Sequence, residues 1–427
     1  MKLVIWHGYL LSGTGSNIYT QHVARAWGRL GHDVRVLCQE PHPESFDLGA
    51  NVRVLRPPIG PLLPVFVVDR YEGVEARHVA EMSDQELNRY LELNVAALAE
   101  ELRREPAAMV LANHAIMGGP VAQAACGAAT PYAIKLHGSE LEYAIRGRPK
   151  LARLARPPLD AAAAIYAGSQ HIVDVTAELL GDGGYLERVS IVPPGVDLDE
   201  FSPQNGSRRR LLELLRADRP GAHPERHPDP DAAQRLEQVG RFVLYFGKLL
   251  QQKGVHLLLE AWRTLAAEHP DLTLVVVGFG AERAWLEAQA GPAVVFTGAM
   301  DHAQLQALTP LAEVVVVPSV LPEAFGMVAA EAASCGVMPV VAGHSGLAEV
   351  AAGLGDAAVA YQGGAAELEQ ALRGVLALTA EQRQAAGARG RRRVAERWSW
   401  ERIAQSLIDG VDVSRATTPQ KDTPQAD

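Results

Sequence analysis

Short apolar runs alternate with stretches of helical period along almost the whole chain. Residues 2–6 read as a strand, and after a glycine-containing loop residues 17–30 carry an apolar stripe at helical spacing. Residues 33–38 read as the next strand. Ser83 and Glu86 form a capping box that opens a long helix with apolar positions Leu87, Leu91, Val95, Leu98 and Leu102. Strand patterns return at 108–112, 132–136, 162–167 and 190–192, with a helical pattern at 118–125. A second series runs through strands at 241–246, 272–278, 294–296, 314–317, 338–341 and 357–361, with helices between them, one at 255–267. Strand and helix in strict alternation predict an α/β protein built on parallel sheets wound in both directions.

The chain has 427 residues, enough for two such domains. The patterns divide it into a first Rossmann-like domain at 1–203 and a second at 240–395, separated by a charged linker or insert at 204–239. Within that linker, 208–215 has the spacing of a short helix, and the run HPERHPDPD reads as a solvated loop. Residues 379–408 read as helical, with Trp398 and Trp400 near the end; the part at 396–412 forms a terminal helix. Residues 413–427 lack apolar periodicity and are expected to be a disordered tail. Residues 57–68 contain four prolines, which exclude a regular helix and favour a packed loop over a surface facing an acceptor or a membrane.

Composition narrows the function. A formal net charge of −10 excludes a general nucleic-acid binder, whose phosphate contacts need a basic face. Arg389, Arg391, Arg392 and Arg393 read as the solvated face of a late helix. Cys38, Cys126 and Cys335 are far apart and suit neither a disulfide framework nor a metal site. The opening apolar run is too short for a signal peptide, and no stretch approaches the ~18 apolar residues of a membrane span. These features suit a cytoplasmic enzyme.

The candidate chemistry gathers at strand ends. After the run at 314–317 comes a loop with Glu323, then Phe325, Gly326, Met327 and Val328, then a small-residue helix carrying a second acid, Glu331. An acid in an Ala-rich helix is costly unless it has partners. A spacing of eight residues separates the two acids by about 12 Å along a helix axis, comparable to a sugar-diphosphate-ribose unit, with a phosphate-attracting helix N-terminus between them. A helix capped by its own carboxylate, with Glu331 at the surface, fits the residues equally well. Lys248 and Lys253 lie on the loop after 241–246, two cations before a helix and suited to a diphosphate. The loop after the first strand carries Gly8, Gly13 and Gly15, but Ile18 occupies the third glycine position of a dinucleotide fingerprint. His137 opens H-G-S-E at the end of the 132–136 strand.

The stretch P-E-A-F-G-M-V-A-A-E-A-A-S-C-G resembles the E-x7-E signature of retaining glycosyltransferases of the GT-B fold, in particular glycosyltransferase family 4. H-G-S-E resembles that family's H-G-x-[DE] segment, and G-K-L-L-Q-Q-K-G its G-R-L-x-x-x-K-G, with Lys248 in the place of the usual Arg. The resemblance implies two Rossmann-like domains facing across a cleft, acceptor side first and nucleotide-sugar side second, with the terminal helix crossing back onto the first domain. It implies transfer of a hexosyl unit from a nucleotide-diphosphate sugar, a UDP-sugar in the first instance, to an acceptor hydroxyl. Neither a metal nor a further cofactor is implied. His137, Glu323, Lys248 and Lys253 would carry the chemistry. Gly13, Gly15, Phe325, Gly326, Met327, Val328, Glu331 and Met300 would hold the donor, Met300 standing where the family has a branched aliphatic beside the base. The acceptor would be a small molecule, a glycan or a lipid-linked sugar, with peripheral contact at the inner face of the membrane left open. An epimerase on the same fold and a non-catalytic nucleotide-sugar-binding protein are the competing readings.

Overall fold

The structure is a computed structural model that describes residues 1–11, 15–66, 74–218 and 227–411. It divides into two units, Met1–Gly195 with Trp400–Asp427, and Val196–Ser399.

The strands of the first unit are β1 (Lys2–Trp6), β2 (Asp33–Leu37), β3 (Val52–Leu55), β4 (Leu62–Val65), β5 (Glu75–His78), β6 (Met109–Asn113), β7 (Tyr132–Lys135), β8 (Ala164–Ala167) and β9 (Val189–Ile191). Seven of them form one sheet in the order β3-β2-β1-β6-β7-β8-β9, and every pairing is parallel. Leu3, Val4 and Ile5 are all fully buried, as expected for a parallel strand covered on both faces. The winding reverses between β1 and β6, which makes a switch point where their carboxyl ends lie side by side.

Helix Gly15–Arg29 covers one face of this sheet and buries Val23, Ala24, Ala26 and Trp27. Helix Trp400–Asp409 packs beside it, with Trp400, Ile403, Ala404 and Leu407 in the same core. The Trp27 indole N–H donates to the Ala404 carbonyl at 2.8 Å, and the Tyr166 hydroxyl donates to Leu407 O at 2.7 Å. The pattern at 379–408 suggests one helix, but there are two, Ala380–Trp398 and Trp400–Asp409, because Ser399 takes an extended backbone with ψ 143°.

The second unit contains β10 (Arg241–Phe246), β11 (Leu272–Val277), β12 (Val294–Phe296), β13 (Val314–Val317), β14 (Pro339–Ala342) and β15 (Val359–Tyr361). They form a parallel sheet in the order β12-β11-β10-β13-β14-β15, with its switch point between β10 and β13. Both units are therefore Rossmann-like.

Three expectations need correction. Residues 204–239 are not a plain linker where they are described. Helices Arg208–Ala217 and Ala232–Glu237 bury Leu211, Leu212, Leu215 and Leu236 in the core of the second unit. The described end of the HPERHPDPD run is not a solvated loop. His227 O accepts from Ala299 N at 3.1 Å, Asp229 N donates to Thr297 O at 2.7 Å, and Arg283 donates to the Asp229 carboxylate at 2.6 Å. The proline-rich stretch is not all loop, since β4 pairs in parallel with β5. Pro64 is tolerated there because a two-stranded ribbon leaves one side of each strand without a ladder. Residues 67 and 68 of that stretch, and the tail at 413–427, lie outside the described residues. No helix among the described residues is long and apolar enough to cross a membrane.

Candidate functional site

Each switch point carries a cluster of polar side chains. In the first unit β1, β6 and β7 end together, and the residues at or just past those ends are His7, Asn113, His114 and His137. The His7 ring contacts Asn17 Oδ1 through Nε2 at 2.9 Å and Thr20 Oγ1 through Nδ1 at 3.1 Å. Asn113 Nδ2 lies 3.1 Å from His7 Nδ1 and donates to Thr20 Oγ1 at 3.1 Å. The Asn113 Oδ1 lies 2.7 Å from His137 Nε2. Glu140 is fully buried: one carboxylate oxygen accepts the His137 backbone N–H at 3.0 Å, and the other lies 3.2 Å from His114 Nδ1.

The turn after β6 is bent to make this arrangement. His114 and Met117 have positive φ, 71° and 66°, which side chains rarely adopt outside functional sites. Gly118 fits because a Cβ there would stand 2.0 Å from the Asn113 carbonyl oxygen. His114 packs against Phe66 and His137, with ring centroids 4.7 and 4.6 Å away, and its Nε2 is buried without a hydrogen-bond partner among the described residues.

Burial, with the nearby His114, pushes His7 down to about 3. It also holds His137 well below the ordinary range, assisted by His114, Lys135 and His7. Burial alone would raise Glu140, but the charge and hydrogen bond of His114 and the backbone N–H bonds outweigh it and keep the carboxyl low. Burial brings Lys135 down to about 7; its ammonium donates to the Val192 carbonyl and stands 5.2 Å over the Tyr19 ring.

In the second unit the loops after β10, β13 and β14 meet. Lys253 donates to Glu323 Oε1 at 2.8 Å, an ion pair one-third exposed at the lysine. Ser319 Oγ donates to the same oxygen. The Glu323 backbone is held at both ends: its N–H donates to Ser345 Oγ at 2.9 Å, and its carbonyl accepts from Gly346 N at 3.0 Å. His344 ties the cluster to the loop after β13 through Ser319 O at 2.9 Å. Gly254 turns the lysine loop into the following helix with φ 70°, and a Cβ there would meet Pro318 O at 1.9 Å.

Gly326 caps helix Met327–Ser334, whose first-turn amides at Met327 and Val328 have no acceptor within the helix. Glu331 is not at the surface but 8% exposed. No ion pair or hydrogen bond reaches its carboxyl among the described residues, and burial, with Glu200 adding to it, raises it to about 8.

The other sequence-derived candidates fall as follows. Lys248 is exposed on the same loop as Lys253, and its carbonyl accepts the Tyr245 hydroxyl at 2.8 Å. The Phe325 side chain is buried edge-on against Trp398 at 5.4 Å, leaving only its backbone for a ligand. Met300 packs, half-buried, against the second core. Gly15 begins the first helix in open space, and Gly13 lies outside the described residues. Sequence reasoning met Glu140 only as part of H-G-S-E, and missed His7 and Asn113 in one unit and Ser319, His344 and Ser345 in the other. The signal available for them was position at or just beyond a strand's carboxyl end.

Residues 14–195 match the model of the glycosyl transferase 4-like domain, and residues 231–393 that of glycosyl transferases group 1. The chain is 28% identical over 421 residues to a D-inositol 3-phosphate glycosyltransferase of Xylanimonas cellulosilytica, covering 92% of this chain and 90% of that one. It is 37% identical over 188 residues to a glycogen synthase of Mycobacterium tuberculosis, a stretch spanning 41% of this chain and less than half, 43%, of that protein. Among solved structures, sucrose-phosphate synthase from Thermosynechococcus elongatus aligns with a TM-score of 0.70 at 21% identity, covering 98% of this chain and all of the other. The Anabaena protein HepE in complex with UDP and glucose aligns with a TM-score of 0.66 at 18% identity, covering 95% and 98%. At those identities the structural likeness speaks for the fold.

Proposed function

Because the chain belongs to the GT-B glycosyltransferases that join a 4-like domain to a group 1 domain, we propose that it moves a hexosyl unit from a nucleoside-diphosphate sugar to an acceptor hydroxyl with retention of configuration. The observation that carries this reading is the Lys253–Glu323–Ser319 cluster at the switch point of the second sheet, followed by a helix N-terminus and the unpartnered Glu331.

The chemistry follows from charge. Departure of the nucleoside diphosphate leaves negative charge on its β-phosphate. Lys253 and Lys248 supply cations for it, and the amides of Met327 and Val328 supply donors already in place, which lowers the barrier because nothing has to reorganise. As phosphate draws Lys253, Glu323 is released to accept sugar hydroxyls. Glu331, whose carboxyl burial raises to about 8 and which has no partner among the described residues, suits the ribose hydroxyls. In the first unit His137 meets a ligand hydroxyl. The leaving phosphate takes the acceptor's proton on the same face, so no carboxylate nucleophile is assigned and no metal is called on. UDP-sugars are the first donors to try, and polyols, glycans and lipid-linked sugars the first acceptors. Location in the cytoplasm, at or near the inner face of the membrane, is part of the same reading.

The test is a thermal-shift titration with UDP, GDP, ADP and their sugars, followed by an acceptor screen that reads released diphosphate and the anomeric configuration of the product by NMR. One nucleoside diphosphate should raise Tm, and its sugar should yield an axial or equatorial product matching the donor. If none of them raises Tm, the donor site is wrongly placed; an inverted product removes the retaining mechanism.

A further inference from the structure

The hydrogen bonds around Asn113 fix more than its own position. The Thr20 hydroxyl has a single proton and two acceptors within reach, the Ser16 carbonyl at 2.8 Å and His7 Nδ1 at 3.1 Å. With its proton on either of them, Thr20 Oγ1 accepts from the Asn113 NH2, which faces it at 3.1 Å. A reversed amide would set the Asn113 oxygen against the lone pairs of that hydroxyl. With the NH2 turned towards Thr20, its protons also serve His7 Nδ1 at 3.1 Å, so that nitrogen accepts and His7 carries its proton on Nε2, towards Asn17 Oδ1 at 2.9 Å. The amide oxygen is left facing His137 Nε2 at 2.7 Å. An amide oxygen only accepts, so His137 Nε2 must carry a proton.

We propose that Asn113 is a positioning residue that holds His137 as the neutral Nε2–H tautomer, so that its Nδ1 lone pair is offered to a ligand hydroxyl and turned against phosphate. This rests on the assignment of His137 to a ligand in the proposed reaction. The surroundings agree with neutrality. Around the ring stand His114, with centroids 4.6 Å apart, Tyr19 at 5.2 Å edge-on, Lys135, His7 and Glu140. The one carboxylate among them, Glu140, is taken up by His114 Nδ1 and by the His137 backbone N–H rather than by the His137 ring. Burial and three neighbouring bases, His114, Lys135 and His7, press the ring away from the cation. An imidazolium would attract an anionic oxygen; a neutral ring accepts O–H and repels such an oxygen. The tautomer thereby sorts hydroxyl from phosphate at this position.

The experiment is nitrogen NMR of protein labelled at histidine, with His137→Gln to assign the ring, at several values between pH 5.5 and 8. The expected wild-type spectrum has an unprotonated Nδ1 and a protonated Nε2 for His137, unchanged across that range. A proton on Nδ1, or a cationic ring at pH 6.5, overturns the proposal. In Asn113→Ala the single tautomer should give way to a mixture. In the transfer assay that variant should lose turnover roughly ten- to hundredfold while its affinity for UDP stays as in wild type. An alanine variant that keeps both the wild-type tautomer and the wild-type turnover also overturns it. If no nucleoside diphosphate binds in the titration above but the tautomer is as stated, the reaction is misread and the hydrogen-bond assignment stands.

Discussion

Two buried carboxylates, one in each unit, sit in opposite circumstances. Glu140, at the switch point of the first sheet, is wholly buried yet surrounded by donors, and its carboxyl is held below the ordinary range. Glu331, on the helix after the Glu323 loop, is almost as deep but has no donor to its carboxyl among the described residues, and burial raises it to about 8. The same contrast runs through the clusters around them. Around His137, amides, a hydroxyl and imidazoles answer one another. Around Glu323, the charges are a fifth to a third exposed, and among the described residues the Lys253 ammonium is held by an acid that has its own work to do. A satisfied buried network is a frame, because every change of partner costs a hydrogen bond. An unsatisfied one keeps capacity for a ligand. The cluster around His137 therefore reads as pre-organised, and the one around Glu323 as charged and waiting.

The contrast breaks if charge in the second unit can be removed at no loss. Lys253→Ala should lower transfer by roughly a hundred- to a thousandfold and weaken nucleoside-diphosphate affinity, as loss of a group aimed at developing charge does. Steady-state kinetics with calorimetric titration of the diphosphate reads both, and a fully active variant takes Lys253 out of the site. Glu323→Ala should cost roughly a hundredfold in transfer. Free diphosphate affinity, however, should hold or tighten, because Lys253 no longer has a competing acid at 2.8 Å. Equal loss of transfer and of diphosphate binding would make Glu323 a structural residue.

How far all this could be read from the chain depends on whether the information was local. The β10 strand falls on the expected residues, and the Ser83–Glu86 capping box is present in both directions, since each needs only neighbours in sequence. In the segment 204–239 the short helix at 208–215 could be read from its spacing, but the Arg, Asp and Pro content hid helix Ala232–Glu237 and the burial of both helices in the second core. Helix Pro149–Ala161 was invisible because Pro157 and Pro158 lie inside it, while burial of Leu151, Ala155 and Leu159 holds it in place. The strand-end positions of Glu323, Lys253 and His137 could be seen one at a time. The bond between Asn113 and His7 spans 106 residues, and it becomes visible only once β1 and β6 are known to be neighbours. That Glu331 is buried and alone, rather than at the surface, likewise follows from packing and not from spacing.

Glu331 offers the finest test of the comparison, through stability rather than rate. In the unfolded chain its carboxyl ionises near the ordinary 4.5, whereas in the folded protein burial, with Glu200 adding to it, delays ionisation to about 8. Between those values the folded state holds a proton that the unfolded state has released. Its contribution to stability therefore declines as pH rises through that window and levels off above it. Glu331→Gln keeps the shape and cannot ionise, so it should remove this decline. Above pH 8 the variant should be more stable than wild type by about 2 kcal/mol, less than the whole shift would give because buried sites relax and admit water. Glu140→Gln should behave in the opposite sense, losing stability at neutral pH because a carboxylate with donors is replaced by an amide that must present two protons to them. Denaturant unfolding of both variants at pH 5, 7 and 8.5 separates the two cases. Parallel pH curves for wild type and Glu331→Gln would mean that Glu331 already has its partner in the free protein, and that the second unit is not waiting for one.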